Sequence, residues 1–281
     1  GAGCGKTPRA APVPGRRDQC IPVLELLRNL ARHRFVLTNF IGRDLKLKYR
    51  GTVLGYLWSL LEPFSLVVVY YFVFVVVARR GGPDYPLVVL LGILPYGFFS
   101  AVVTGGASAL TANRGLIRRV HLPRELFIAG HAGAQAVIFL LSLLVAGPLM
   151  WVYARPVTPG LLLVPAASLG ILALATGLAL ALSCANVLYR DVSYVLKVVL
   201  RLGFYGTPVI YPLSLVPHEL QGWVLLNPMA TFVTLVRSGI MGTPLDIPPA
   251  TVAGSFIAAA VVFAAGATLF RRWQGTAVKY L

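Results

Sequence analysis

From residue 57 onward the chain alternates long apolar runs with short basic segments. Residues 57–78 carry one charge, Glu62, and residues 126–154 have none beyond His131. Residues 87–110, 161–189 and 247–270 carry none. A helix needs about 20 apolar residues to cross the hydrocarbon core of a bilayer, so each run predicts one span. A shorter stretch, 202–216, holds Pro208 and Pro212 and is taken as the fifth span of six. Beyond it, the apolar pieces 223–226 and 229–240 are broken at Asn227-Pro228. Irregular backbone at membrane depth survives only where protein or a water-filled cavity covers it. Residues 217–246 are therefore predicted to form a re-entrant or outer-face helical pair.

The first 56 residues follow another pattern. Leu24, Leu27, Leu30 and Ile41 alternate with Arg28, Arg32, Arg34, Arg43, Lys46, Lys48 and Arg50. A basic amphipathic segment before a span lies in the membrane interface plane or packs on a partner. Residues 1–20 are rich in Gly, Pro and Arg without apolar period, the composition of a disordered basic tail. The expected fold is all-α and integral to the membrane. Its parts are a tail (1–20), a cytoplasmic interfacial region (21–56) and a six-span domain (57–281).

Composition sharpens this reading. Apolar residues make up 57% of the 281 positions and charged residues 12%, half the charge of an average soluble domain. That excludes an ordinary cytosolic enzyme, a disordered chain and a disulfide scaffold. The net charge of +16 has two sources to choose between, nucleic-acid binding and the positive-inside bias of membrane proteins. Counted along the predicted topology, alternate segments hold 21 Lys and Arg against 4 in the others. The charge follows topology, so nucleic acid is set aside and both termini are placed in the cytoplasm of a multi-pass plasma (inner) membrane protein.

Candidate chemistry is sparse. His33, His121, His131 and His218 lie far apart, without an HExxH pattern, and Cys4, Cys20 and Cys184 form no CxxC pair. No catalytic or metal site is expected. Gly3, Gly5, Lys6 and Thr7 imitate the end of a phosphate-binding loop, but Pro8, Pro12 and Pro14 follow where that loop needs a helix. Intramembrane charge, which ion-coupled pumps require, is limited to Glu62, and its place beside Pro63 puts it near the cytoplasmic interface in a structural role.

Five short segments carry a family resemblance: RDLKLKYRGTVLGYLWSLLEP (43–63), LIRRVHLPRE (116–125), NVLYRDV (186–192), TPVIYP (207–212) and LNPM (226–229). In this order they resemble ABC-2-type permeases that export lipid-linked polysaccharides such as O-antigen, teichoic acid and galactan. The resemblance spans residue 43 to about 240 and leaves out the tail. It implies a homodimer with two copies of a separate ABC ATPase, which would bind ATP and Mg, so this chain binds no cofactor and is not an enzyme. The substrate would be an undecaprenyl- or polyprenyl-linked glycan.

The resemblance also assigns roles. The loop with Arg114, Arg118, Arg119, His121, Pro123, Arg124 and Glu125 would carry a coupling helix seated in the ATPase. Arg43, Lys46, Lys48 and Arg50 would meet the lipid pyrophosphate, anionic headgroups of membrane lipids or the ATPase surface. Trp223, Asn227 and Pro228 would belong to the outer gate. Aromatic rings offer sugars an apolar face, and Tyr adds a hydroxyl, so Tyr70, Tyr71, Phe74, Phe204, Tyr205 and Tyr211 are the expected passage lining; interface belts and core packing are their other common use. Two rival readings remain: an ABC-2 permease for small lipophiles or drugs, and a lipid-linked glycosyltransferase. The second would need paired carboxylates, and Asp44, Asp84 and Asp191 stand singly.

Overall fold

The computed structural model describes residues 22–77, 79, 82, 84–120, 122–144, 146–154 and 158–280. The tail 1–20, including Cys4 and Cys20, and the coupling candidate His121 lie outside the described residues. Among the described residues the elements are helical throughout. Two helices, α1 (Pro22–Arg32) and α2 (Arg34–Tyr49), precede the apolar domain. Then come α3 (Trp58–Tyr71), prolonged by a π-helical turn Phe72–Val77, α4 (Tyr85–Ala112), the short α5 (Arg114–Arg119), α6 (Glu125–Leu143) and α7 (Ala146–Val152). The chain continues as α8 (Leu163–Leu188), α9 (Val192–Gly206), α10 (His218–Leu225), α11 (Pro228–Met241) and α12 (Pro249–Lys279).

Five helical stretches are long and apolar enough to cross a membrane: Leu60–Val77, Tyr85–Ala112, Glu125–Val152, Pro159–Leu188 and Pro249–Ala277. The pair α10 and α11, bent by 106°, makes a sixth if it counts as one. The run at 202–216 is not one helix: its first five residues end α9, and beyond them only a 3-10 turn at Leu213–Leu215 forms. The helix in that region, α9, starts at Val192 and ends at Gly206, ten residues earlier than the apolar run suggested. Proline explains the end: Pro208 disfavours helical geometry at Thr207, whose backbone is extended. Arg190 stays in the connection, but Lys197 and Arg201, counted there from sequence, belong to α9.

The core forms where small residues let helices touch. Helix α8 lies at the centre, against α4, α12 and α11. A Cβ on Gly177 would meet the Phe263 backbone at 2.6 Å, and one on Gly266 would collide with the Gly177 carbonyl. Without a hydrophobic drive between helices in lipid, such backbone contact is how membrane helices gain packing energy. Helix α11 is buried along its length from Met229 to Met241. Its start is fixed by the Asn227 side chain, which accepts from Met229 N at 3.0 Å, and its end by Gly242 at φ 67°. In contrast, among the described residues α3 buries only Val67, and α9 only Leu200. Both present apolar surface outward, including Val68 and Val69 on α3 and Val198 and Leu202 on α9.

The two ends of the bundle differ in charge. One end carries α5, the end of α8 and the end of α12, with Arg114, Arg118, Arg119, Arg124, Arg190, Arg272 and Lys279. Helices α1 and α2 pack across this end. Glu25 pairs with Arg271, and Asn29 Nδ2 donates to Glu125 Oε1 at 2.8 Å. Phe40 lies 4.9 Å from the Phe127 ring. On α2, Asp44 joins Arg43 Nη2 at 3.0 Å and His131 Nδ1 at 3.5 Å, and His131 Nε2 lies 3.2 Å from the Ala101 carbonyl. The cluster thus ties α2 to α6 and α4. Burial raises the Asp44 pKa, but hydrogen bonds and charge from His131 and Arg43 outweigh it and hold the carboxyl below its ordinary value.

A depressed carboxyl stabilises the fold above its unfolded pKa and loses that contribution as pH falls through its folded pKa. Asp44→Asn is expected to cost about 1 kcal/mol at neutral pH, and the gap from the parent should vanish in acid below the ordinary carboxylate range. Thermal unfolding of both proteins across pH in detergent checks this. A gap independent of pH would remove Asp44 from the tie.

Candidate functional site

Helices α3, α4, α6 and α9 enclose a cavity of about 830 Å³ that opens to the surroundings. Its wall changes character along its length. Toward the basic end stand Lys48 from α2, Lys197 and Arg201 from α9 and the single acid Glu62 from α3. Lys197 and Arg201 are four residues apart on α9 and so share a face. Ser100, Thr104, Gln135 and Ser142 add hydrogen-bonding groups to the wall. Desolvation lowers the Lys48 pKa, against the pull of the Glu62 carboxylate.

Further along, aromatic rings take over. Phe204 is central: Tyr70 lies 6.5 Å from it, Tyr96 5.4 Å and Tyr205 5.3 Å between ring centroids. Phe74 bridges Tyr70 at 6.4 Å and Tyr85 at 5.8 Å. Tyr96 donates to the Leu200 carbonyl at 2.5 Å, locking α4 to α9. Phe98 and Phe139 stack at 4.7 Å on the side formed by α4 and α6. The arrangement combines cations for an anionic group, hydroxyls and an amide for a polar chain, and ring faces for sugars.

Three of the six aromatic candidates line the cavity, Tyr70, Phe204 and Tyr205, and Phe74 packs on Tyr70 outside that lining. Tyr211 is linked to them through its hydroxyl, which donates to the Tyr205 carbonyl at 3.2 Å. Tyr71 stands apart, exposed on α3 and absent from the cavity wall. Of the four cations proposed on 43–50, only Lys48 reaches the cavity. Arg43 is held by Asp44 and lies 5.0 Å from the Phe40 ring, and Lys46 and Arg50 are exposed elsewhere.

The coupling candidates divide similarly. Arg114, Arg118 and Arg119 are exposed on α5, whose Leu116 and Ile117 face the core. Pro123 and Arg124 are half-buried in the turn into α6. Glu125 turns inward, 7% exposed, and serves α1 rather than the surface. Trp223 is 73% exposed on α10. Asn227 caps α11 and also donates to Thr207 Oγ1 at 3.0 Å, and Pro228 occupies the first helical position.

Sequence reasoning missed Lys197, Arg201, Tyr96 and Arg237. Lys197 and Arg201 carried a signal in their i, i+4 spacing, masked by reading 190–201 as a loop. Arg237 carried none, because its partners are main-chain oxygens distant in sequence.

The chain is 34% identical over 214 residues to the O-antigen export system permease protein RfbA of Myxococcus xanthus, covering 75% of this chain and 82% of that one. It is 27% identical over 224 residues to the protein of the same name from Klebsiella pneumoniae, covering 79% and 86%. The polysialic acid transport protein KpsM of Escherichia coli is 26% identical over 204 residues, covering 71% and 78%. Residues 37–241 match the ABC-2 type transporter family, and the chain belongs to it.

Proposed function

We infer that the chain is the membrane subunit of an ATP-driven exporter that moves a lipid-linked polysaccharide from the cytoplasm to the outer face of the plasma membrane. The observation that carries this reading is the cavity between α3, α4, α6 and α9, cationic at one end and aromatic along the rest. A polyprenyl pyrophosphate bears its charge at the junction between lipid and glycan. Lys48, Lys197 and Arg201 suit that junction, and the sugars following it suit the rings of Tyr70, Tyr96, Phe204 and Tyr205.

The basic end faces the cytoplasm on the positive-inside argument, which puts both termini there. The six-span topology follows if α9 and the bent pair together make the fifth crossing. In this arrangement α10 and α11 form the gate on the outer side. Two copies assemble through the outward apolar faces of α3 and α9, which have little to bury them within one chain. Helix α5 presents its three arginines to a separate ATPase, anchored by Leu116 and Ile117. ATP and Mg belong to that partner. The relatives, named for O-antigen export and for polysialic acid transport, favour a polysaccharide over a small lipophile.

Reversing charge in Arg118→Glu with Arg119→Glu is expected to abolish co-purification of the ATPase from a co-expressed operon while membrane insertion persists. Equal ATPase recovery would dismiss α5 as the coupling element. Reversing Lys197→Glu with Arg201→Glu is expected to leave the ATPase bound and cut polymer export in reconstituted vesicles about tenfold or more, since each lost charge-assisted contact is worth about 1.5–3 kcal/mol. Export at the parental rate would detach these cations from substrate.

A further inference from the structure

Past the end of α9 the backbone leaves helical geometry over residues 207–217, apart from a single 3-10 turn at Leu213–Leu215. Its carbonyls need partners, because an unpaired oxygen buried at membrane depth is costly. Over Pro208–Tyr211 one side chain supplies most of them. Arg237 on α11 is 5% exposed. Its Nη2 donates to Pro208 O at 3.0 Å and Val209 O at 2.9 Å, and its Nη1 to Tyr211 O at 3.3 Å. Its Nε and Nη2 also donate to Val88 O, in the first turn of α4, at 3.2 and 3.1 Å. The fourth carbonyl of Pro208–Tyr211, that of Ile210, accepts from Tyr85 Oη at 3.0 Å.

The fit is close. A Cβ on Gly92 of α4 would collide with the Val209 carbonyl and lie 2.9 Å from Arg237 Nη2. The planar fork of arginine can reach several acceptors at once, whereas a lysine ammonium is a point donor on a flexible stem. Three elements therefore meet on one guanidinium: α4, α11 and the segment that carries Tyr211 and follows Phe204 and Tyr205.

We propose that Arg237 is the positioning residue of the passage, a latch that holds segment 207–211 against α4 and keeps that end of the aromatic wall in place. The term passage rests on the exporter reading; the latch itself does not. While the fork is intact, α4, α11 and the segment move as one body. Releasing it frees the segment and opens that end of the wall to water.

The test uses the permease in lipid nanodiscs with Cys4→Ser and Cys20→Ser, so that Cys184, buried at 1% exposure, reports general loosening. Val209, 0% exposed, is replaced in Val209→Cys and probed with a water-soluble maleimide. Adding Arg237→Met, Arg237→Lys or Gly92→Ala is expected to speed labelling at 209 by about tenfold or more, as for a locally opened segment, with Cys184 unlabelled. If Arg237→Met fails to accumulate, Gly92→Ala and Arg237→Lys carry the result, one acting from the α4 side and one keeping the charge without the fork. Labelling at 209 that stays at the parental rate, or Cys184 reacting in step with it, would overturn the latch. Parental behaviour of Arg237→Lys alone would also overturn it, by showing that a charge suffices. None of these outcomes depends on the ATPase or the polymer. A failure here would therefore leave the exporter reading untouched, and a failed export assay would not touch the latch.

Discussion

Main-chain oxygens that leave helical geometry inside an apolar bundle must find donors within the protein, and the structure is arranged around the place where this happens. Helix α9 stops short at Gly206, with the extended backbone of Thr207 ahead of Pro208. The chain then crosses to α10 and α11 without regular hydrogen bonds. Arg237 and Tyr85 supply the missing donors at Pro208–Tyr211, and Asn227 binds the Thr207 hydroxyl. Because those donors sit on α4 and α11, the irregular segment is bound to the best-buried part of the fold. The aromatic wall before it, Phe204 and Tyr205, inherits that placement.

The second organising feature is asymmetry between the ends. Basic residues cluster at the end where α1, α2 and α5 lie, and the cavity carries its cations toward the same end. Helices α1 and α2 are attached there by polar contacts, Asp44 with His131, Asn29 with Glu125 and Glu25 with Arg271. Among the described residues, helices α3 and α9, which form two walls of the cavity, bury only Val67 and Leu200. Elements with few internal contacts are those most free to shift, which suits walls that must admit a chain.

Much of this was legible in the residues. Four of the apolar runs became spans within a few residues of their expected limits. The 247–270 run is the core of a longer helix, α12, which continues to Lys279. The Asn227-Pro228 break fell at the bend between α10 and α11. The fifth helix was misplaced because hydropathy follows apolar side chains, and 207–216 is apolar without being α-helical. Its cations, Lys197 and Arg201, looked like loop residues for the same reason. Glu125 read as a surface residue of a basic loop, yet it turns inward to Asn29. Arg237 could not be read at all: its acceptors lie 26 to 149 residues away and are main-chain oxygens, which no side-chain pattern announces.

That the cavity is the path of the polymer is tested most directly by photo-crosslinking during export. A benzoyl-phenylalanine at Tyr205, in the cavity wall, and another at Val261, 60% exposed on α12 away from it, would be irradiated while the reconstituted complex moves glycan. Glycan adducts at 205 and none at 261 are expected. Adducts at 261 alone, or none at 205 while export proceeds, would contradict the assignment of the passage.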